Sequence, residues 1–222
     1  MKRVLHILLL VSALLLPSCM KQEGDYANYM DGKDSYTAIL TIKKTPTDTV
    51  YFQFNDSITV YPRDYQYGYD HMQRVICGIS VYKEKYGSFD YIGEVDWLEY
   101  IDEGKFTSDA SVKGSDGLTV LDDWMTGVED GFMTIHYTTM WGNNPVQHDF
   151  SLVSGTNPDD PYELELRHDA NGDAKEQEGE SIISFDINSL PDTGGEYKTL
   201  TLKWTTSGGS ASKKEFQFKT RK

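Results

Sequence analysis

Apolar and polar residues alternate with a period of two along most of the chain, and no window keeps a convincing helical period. Ala38, Leu40 and Ile42 alternate with Ile39 and Thr41, and Val50, Phe52 and Phe54 face away from Tyr51 and Gln53. Phe89, Tyr91, Val95 and Trp97 line one side of a longer run, with Glu94 and Asp96 opposite. Further on, Tyr162, Leu164 and Leu166 share a face, as do Ile183, Phe185 and Ile187, then Leu200, Leu202 and Trp204, then Phe216 and Phe218. The pattern predicts an all-β protein with about a dozen strands.

The alternation lapses into a Ser/Asp/Gly stretch at residues 108–117, which reads as a linker between two domains. Residues 36–107 then hold five or so strands, as suits a small β-barrel, and residues 118–222 hold seven or so at the spacing of a β-sandwich. Within the second domain a hairpin is expected from residues 132–139 and 146–153. Matching their apolar faces pairs Met133 with Leu152, Ile135 with Phe150 and Tyr137 with His148, and leaves Trp141 at the apex.

The N-terminus is of a different kind. Lys2 and Arg3 precede an apolar run, Val4 to Leu16, that is short for a membrane span and matches the core of a secretion signal. Leu16-Pro17-Ser18-Cys19 resembles a bacterial lipobox, so residues 1–18 are expected to be removed and Cys19 to be acylated. Residues 19–35 are polar and lack periodicity, and they read as a lipidated tether. Glu23 and Asp25, close behind Cys19, resemble a surface-export signal of Bacteroidota lipoproteins. The expected location is the cell envelope, anchored in the outer membrane and facing either the periplasm or the cell surface.

Charge narrows the partners. The 222 residues carry 21 Lys and Arg against 35 Asp and Glu, a formal net charge of −14. So acidic a chain repels phosphate backbones, and Lys43, Lys44 and Arg74 form no contiguous run, so no nucleic-acid partner is expected. Aromatic residues make up 13% of the chain, too many for an acidic disordered segment. With Cys19 acylated, Cys77 is the one remaining thiol, and it shares the apolar face of Val75, Ile79 and Val81.

An ordered set of short motifs carries a resemblance. After Cys19 come Tyr51-Phe52-Gln53-Phe54 running to Tyr61-Pro62, then Gln73-Arg74-Val75, Asp123-Trp124, Gly131-Phe132-Met133-Thr134-Ile135, and residues 166–173, LRHDANGD. The set resembles the NigD-like lipoproteins of Bacteroidota and covers nearly the whole chain after the signal. The resemblance implies an N-terminal OB-like barrel followed by a C-terminal β-sandwich. It also implies, by association with a bacteriocin operon, an immunity role. It carries over no catalytic residue, and fold alone decides no function.

Three chemical constellations are weighed from the residues themselves. The expected hairpin register sets His136 opposite Asp149 near Ser151, the parts of a nucleophilic triad, but a flat strand face offers no oxyanion hole and no G-x-S-x-G occurs. The same register points His136 and His148 to opposite faces, which argues against zinc. Asp169, Asn171, Asp173 and Glu180 match positions one, three, five and twelve of an EF-hand loop, yet Ala174 replaces the required glycine and Asn171-Gly172 alone accounts for a tight turn. They are a weak calcium candidate only; no cofactor is expected.

The most suggestive feature is aromatic. Tyr61, Arg63, Tyr65, Tyr67 and Tyr69 crowd nine residues between strands, and Trp141 is the other candidate. The reading is a non-enzymatic envelope lipoprotein that binds a protein or glycan partner, with a structural envelope protein as the alternative and a hydrolase behind it.

Overall fold

A computed structural model describes residues 34–65 and 72–221. The signal segment, Cys19 and most of the tether lie outside the described residues, as do Tyr67 and Tyr69; Asp34 and Ser35 already belong to the first strand. The described chain is all-β, with fifteen strands. Strands β1 (Asp34–Lys44), β2 (Val50–Gln53), β3 (Thr59–Arg63), β4 (Gln73–Tyr82) and β5 (Tyr91–Tyr100) close into a barrel, in the order β1-β2-β3-β5-β4. The residues alternation had placed inward fill it: Leu40, Ile42, Phe52, Val75, Cys77, Ile79 and Val81 are buried together. Burial pushes the Cys77 thiol up to about 12, so it is an inert filler.

One barrel strand departs from simple alternation. Ile79 pairs with Val95 but its neighbour Gly78 pairs with Trp97, so Asp96 is an extra, bulged residue. The bulge reverses the phase of β5. Leu98 packs against the barrel core, and Trp97, expected beside Val95, turns outward and is 45% exposed. Its indole lies across Gly78, where a Cβ would collide with it.

The remaining ten strands form a sandwich. One sheet holds β6 (Asp102–Glu103), β13 (Gln177–Asp186), β10 (Phe132–Trp141) and β8 (Thr119–Val120), with β9 (Gly127–Glu129) on β10. The other runs β15 (Ala211–Phe218), β14 (Lys198–Thr205), β12 (Glu163–Asp169), β11 (Asp149–Val153) and β7 (Lys105–Thr107). Met133, Ile135, Leu152, Leu164, Phe185, Ile187, Leu200 and Leu202 fill the space between them.

Three sequence expectations differ from the structure. Residues 102–107 belong to the sandwich, not the barrel: β6 pairs with β13 and β7 with β11, both in parallel. Gly104 lies between them, against the Phe185 ring, where the chain crosses from one sheet to the other. Strands of two and three residues carry no alternation to read. Residues 108–117 are accordingly no linker; Arg167 donates to the carbonyls of Ala110 and Val112, and Asp116 takes the Ala170 amide. The expected 132–139/146–153 hairpin does not form either. β10 pairs with β13, β9 and β8, while β11 pairs with β12 and β7 in the facing sheet. Met133, Ile135 and Leu152 meet face to face across the core, an arrangement that satisfies the same alternation as edge-to-edge pairing.

The domains meet at the β9–β10 turn. Asp130 and Gly131 both have positive φ, 54° and 76°, as a two-residue hairpin turn requires. The turn drives the fully buried Asp130 carboxylate against Lys43 of the barrel, 2.5 Å away, and against the guanidinium of Arg221. The Asp130 amide donates to Asp56 of the β2–β3 turn. Beside it the buried Arg74 donates to Thr41, lies over the Phe132 ring and faces Glu129 at 4.0 Å. Burial lowers the Arg74 guanidinium to about 10 and raises the Glu129 carboxyl to about 7.

A Cβ on Gly131 would collide with the Asn188 amide, whereas one on Gly87, also at positive φ, would meet nothing. Gly131→Ala is therefore expected to cost about 1–3 kcal/mol and Gly87→Ala about 1 kcal/mol or less, as read by denaturant unfolding. Equal losses would show that the turn is not held against its neighbours.

Candidate functional site

The Tyr-rich segment singled out in the sequence opens on the barrel wall. Tyr61 projects from β3 and stacks on Tyr86, ring centroids 3.9 Å apart at 19°. Phe89 lies 6.0 Å from Tyr61 and 5.3 Å from Tyr51 of β2, so four aromatic rings run across the outside of the barrel. Local structure fixes the outer end of this ribbon. The Phe89 amide donates to the Tyr86 carbonyl around a turn with Gly87 at φ 59°, and Asp90 accepts from both the amide and the hydroxyl of Thr59. Tyr86 is left 49% exposed. Its position was not legible in sequence, because Lys85-Tyr86-Gly87-Ser88 reads as an ordinary turn.

A groove of about 360 Å³ adjoins the ribbon through Tyr61, between the β1–β2 turn and the end of β3. Lys44, Asp48 and Thr49 form its polar side, with Lys44 Nζ 3.1 Å from Asp48 Oδ1; Pro62 and Tyr65 line the other. Tyr65 sets its ring edge-on to Phe52 at 5.4 Å, with its hydroxyl 3.4 Å from that of Tyr100, so it is half core residue and half groove wall. Arg63 is held elsewhere. It donates to Glu94 on β5 at 3.2 Å and lies over the Tyr82 ring, whose hydroxyl donates to the same Glu94.

Trp141 is not a free tip. It stacks on His148 with centroids 3.9 Å apart and lies over Gly179 of β13. Below it is a closed polar chain: His148 Nε2 is 3.2 Å from Asp173 Oδ2, and His148 Nδ1 is 2.9 Å from His168 Nε2. If His148 donates to Asp173, its other nitrogen accepts from His168, which leaves His168 Nδ1 buried and, among the described residues, without a hydrogen-bond partner. Backbone amides, led by that of Gly142, hold the Asp173 carboxyl below its usual range. Burial, and then the neighbouring His148, hold His168 below the ordinary histidine value.

The other constellations are dispersed. His136 lies on β10 with its two ring nitrogens 2.6 Å from Asp123 and from Glu180. Ser151 lies in the facing sheet, and Asp149 accepts from Asn171, so the three parts of a triad are not brought together. Nor are the calcium candidates. Asp169 accepts the Asn171 amide, Asn171 and Gly172 take positive φ in a tight turn, Asp173 turns inward to His148, and Glu180 reaches His136. Among the described residues no group of three or more His, Cys, Asp or Glu is placed to hold a metal ion.

Residues 100–218, more than half of the chain, match the family model described as the NigD-like C-terminal beta sandwich domain. No curated protein matches the chain in sequence. Solved structures resemble it over most of their length. A proposed toxin-related protein from Parabacteroides distasonis aligns with TM-score 0.68 and 24% identity over 84% of this chain and 94% of that one. A NigD-like immunity protein from Bacteroides caccae aligns with TM-score 0.59 and 15% identity over 84% and 98%. A proposed lipoprotein from Bacteroides fragilis aligns with TM-score 0.57 and 11% identity over 85% and 100%. At these identities the likeness is one of fold.

The lowered His168 value gives a pH dependence. The unfolded chain binds this proton more readily, so the stability contributed by the neutral ring is complete above the unfolded histidine pKa, about 6.5, and declines as pH falls below it. Melting temperature is expected to drop on the acid side of neutrality, and less steeply in His168→Gln. Identical acid limbs for the two proteins would contradict the assignment.

Proposed function

The chain belongs to the NigD-like family, and on that footing we propose that it is a non-enzymatic binding module of the cell envelope, anchored through a lipid on Cys19 and engaging a protein or glycan partner. One observation carries the reading. The histidines are held by hydrogen bonds within the chain, His136 between Asp123 and Glu180 and His148 between Asp173 and His168. The Tyr61–Tyr86 face and its groove, in contrast, stand open to solvent with no internal function evident. Rigid tyrosines on a firm scaffold lose little conformational freedom on binding, which suits them to recognition.

Envelope location is supported by the lipobox at Cys19 and by the fold shared with a proposed lipoprotein from Bacteroides fragilis, with the outer membrane as the proposed site and either periplasm or cell surface as the facing. An immunity role is a special case of the same binding function, supported by the fold shared with the NigD-like immunity protein.

The test is a pair of arrays, of glycans and of secreted and envelope proteins, probed with wild type and with Tyr61→Ala/Tyr86→Ala. At least one probe is expected to bind wild type and to lose about tenfold or more in signal with the variant, a difference of about 1.4 kcal/mol. Indistinguishable arrays would remove the barrel face from the function. Turnover of any ester or glycoside lost in Ser151→Ala would reinstate a hydrolase.

A further inference from the structure

We propose that the barrel groove, together with the exposed Tyr86 ring that stacks behind its Tyr61 wall, binds a neutral oligosaccharide. This rests on the binding-module reading and gives that site a ligand class. The aromatic surface has the shape of a sugar platform. Tyr61 covers one side of Tyr86 at 3.9 Å and nearly parallel, which holds the Tyr86 ring in place and leaves the residue 49% exposed. A fixed, solvent-facing ring removes the apolar C–H face of a pyranose from water without ordering a mobile side chain.

The polar side of the groove matches sugar hydroxyls. Lys44 offers an ammonium donor and Asp48 a carboxylate acceptor 3.1 Å apart, with Thr49 alongside. Sugar hydroxyls donate and accept at once, so adjacent hydroxyls match adjacent donor and acceptor groups. The pair also sums to no charge. An anionic ligand would lose to Asp48, to Asp64 beside Tyr61 and to the net charge of −14 more than it gains from Lys44, and a cation would meet the Lys44 ammonium. A ligand rich in hydroxyls and without charge is what the groove fits. Its volume of about 360 Å³ lies at the small end of ligand sites, which suits one or two sugar rings in the groove with a further ring reaching past Tyr61 to Tyr86.

The experiment is calorimetric titration of the full chain in detergent with neutral hexose and N-acetylhexosamine oligosaccharides, with a sulfated oligosaccharide and a lysine-rich peptide as counter-probes. Saturable binding of a neutral oligosaccharide is expected, little changed by added salt. Tyr86→Ala and Asp48→Asn should each weaken it at least about tenfold; the melting temperature should stay at the wild-type value in Asp48→Asn, whose side chain is 81% exposed, and fall slightly in Tyr86→Ala, which also loses the stack on Tyr61. Neutral saccharide binding that survives both substitutions overturns the proposal, as does its absence. If the peptide binds and Tyr86→Ala abolishes that binding, the saccharide is wrong and the binding-module reading stands. If no probe of any class binds here or on the arrays, both fall.

Discussion

The carboxylate of Asp130 is the constraint on which the two-domain architecture depends. A charge removed from water is tolerated only where opposite charges meet it, and its partners come from far apart in the chain: Lys43 from the first barrel strand and Arg221 from the C-terminal end. The hairpin turn at Asp130-Gly131 makes this delivery possible, because positive φ at both residues turns the chain tightly enough to seat the side chain against the barrel. Arg74, Thr41, Phe132 and Glu129 form a second layer beside it. Ion pairs of this kind fix geometry more than they add stability, since the cost of stripping water from each charge offsets much of the attraction.

The same contact reaches the proposed binding face. Lys43 is the cross-strand partner of Tyr51, and Tyr51 is the inner end of the aromatic ribbon that runs through Phe89 and Tyr61 to Tyr86. Barrel strands β1 and β2 therefore carry the domain lock and one end of the ribbon side by side. Recognition is placed on a rigid wall, and the groove is built from a strand end and a two-strand turn rather than from a long free loop.

Much of this was legible in the residues. Alternation placed Leu40, Ile42, Phe52, Phe185 and Leu202 in the core, and Asn171-Gly172 announced its turn. The failures share a cause. Period-two patterning states which side of a strand is apolar and is silent on which strand lies beside it. The Met133 and Leu152 faces therefore read as hairpin neighbours when they belong to facing sheets. The Asp96 bulge shifted Trp97 to the outside by one residue of register, a change no alternation can report. Arg74 and Lys43 look like surface cations until their buried partners on the β9–β10 hairpin are known. Of the candidate site, Tyr61 and Tyr65 were found by their crowding; Tyr86, which completes the platform, had no such signal. Trp141 was placed at a tip because its hairpin partner was wrong.

The most direct test of this account is calorimetric unfolding of wild type and Asp130→Asn. Asparagine keeps the size of the side chain and tolerates positive φ, so the substitution removes the charge and little else. Lys43 would lose the carboxylate it is buried against, and Arg221 would keep only Asp56. The account predicts one cooperative transition for wild type, and for the variant a loss of about 3–5 kcal/mol with separate barrel and sandwich transitions. A single transition at the wild-type temperature in Asp130→Asn would contradict it.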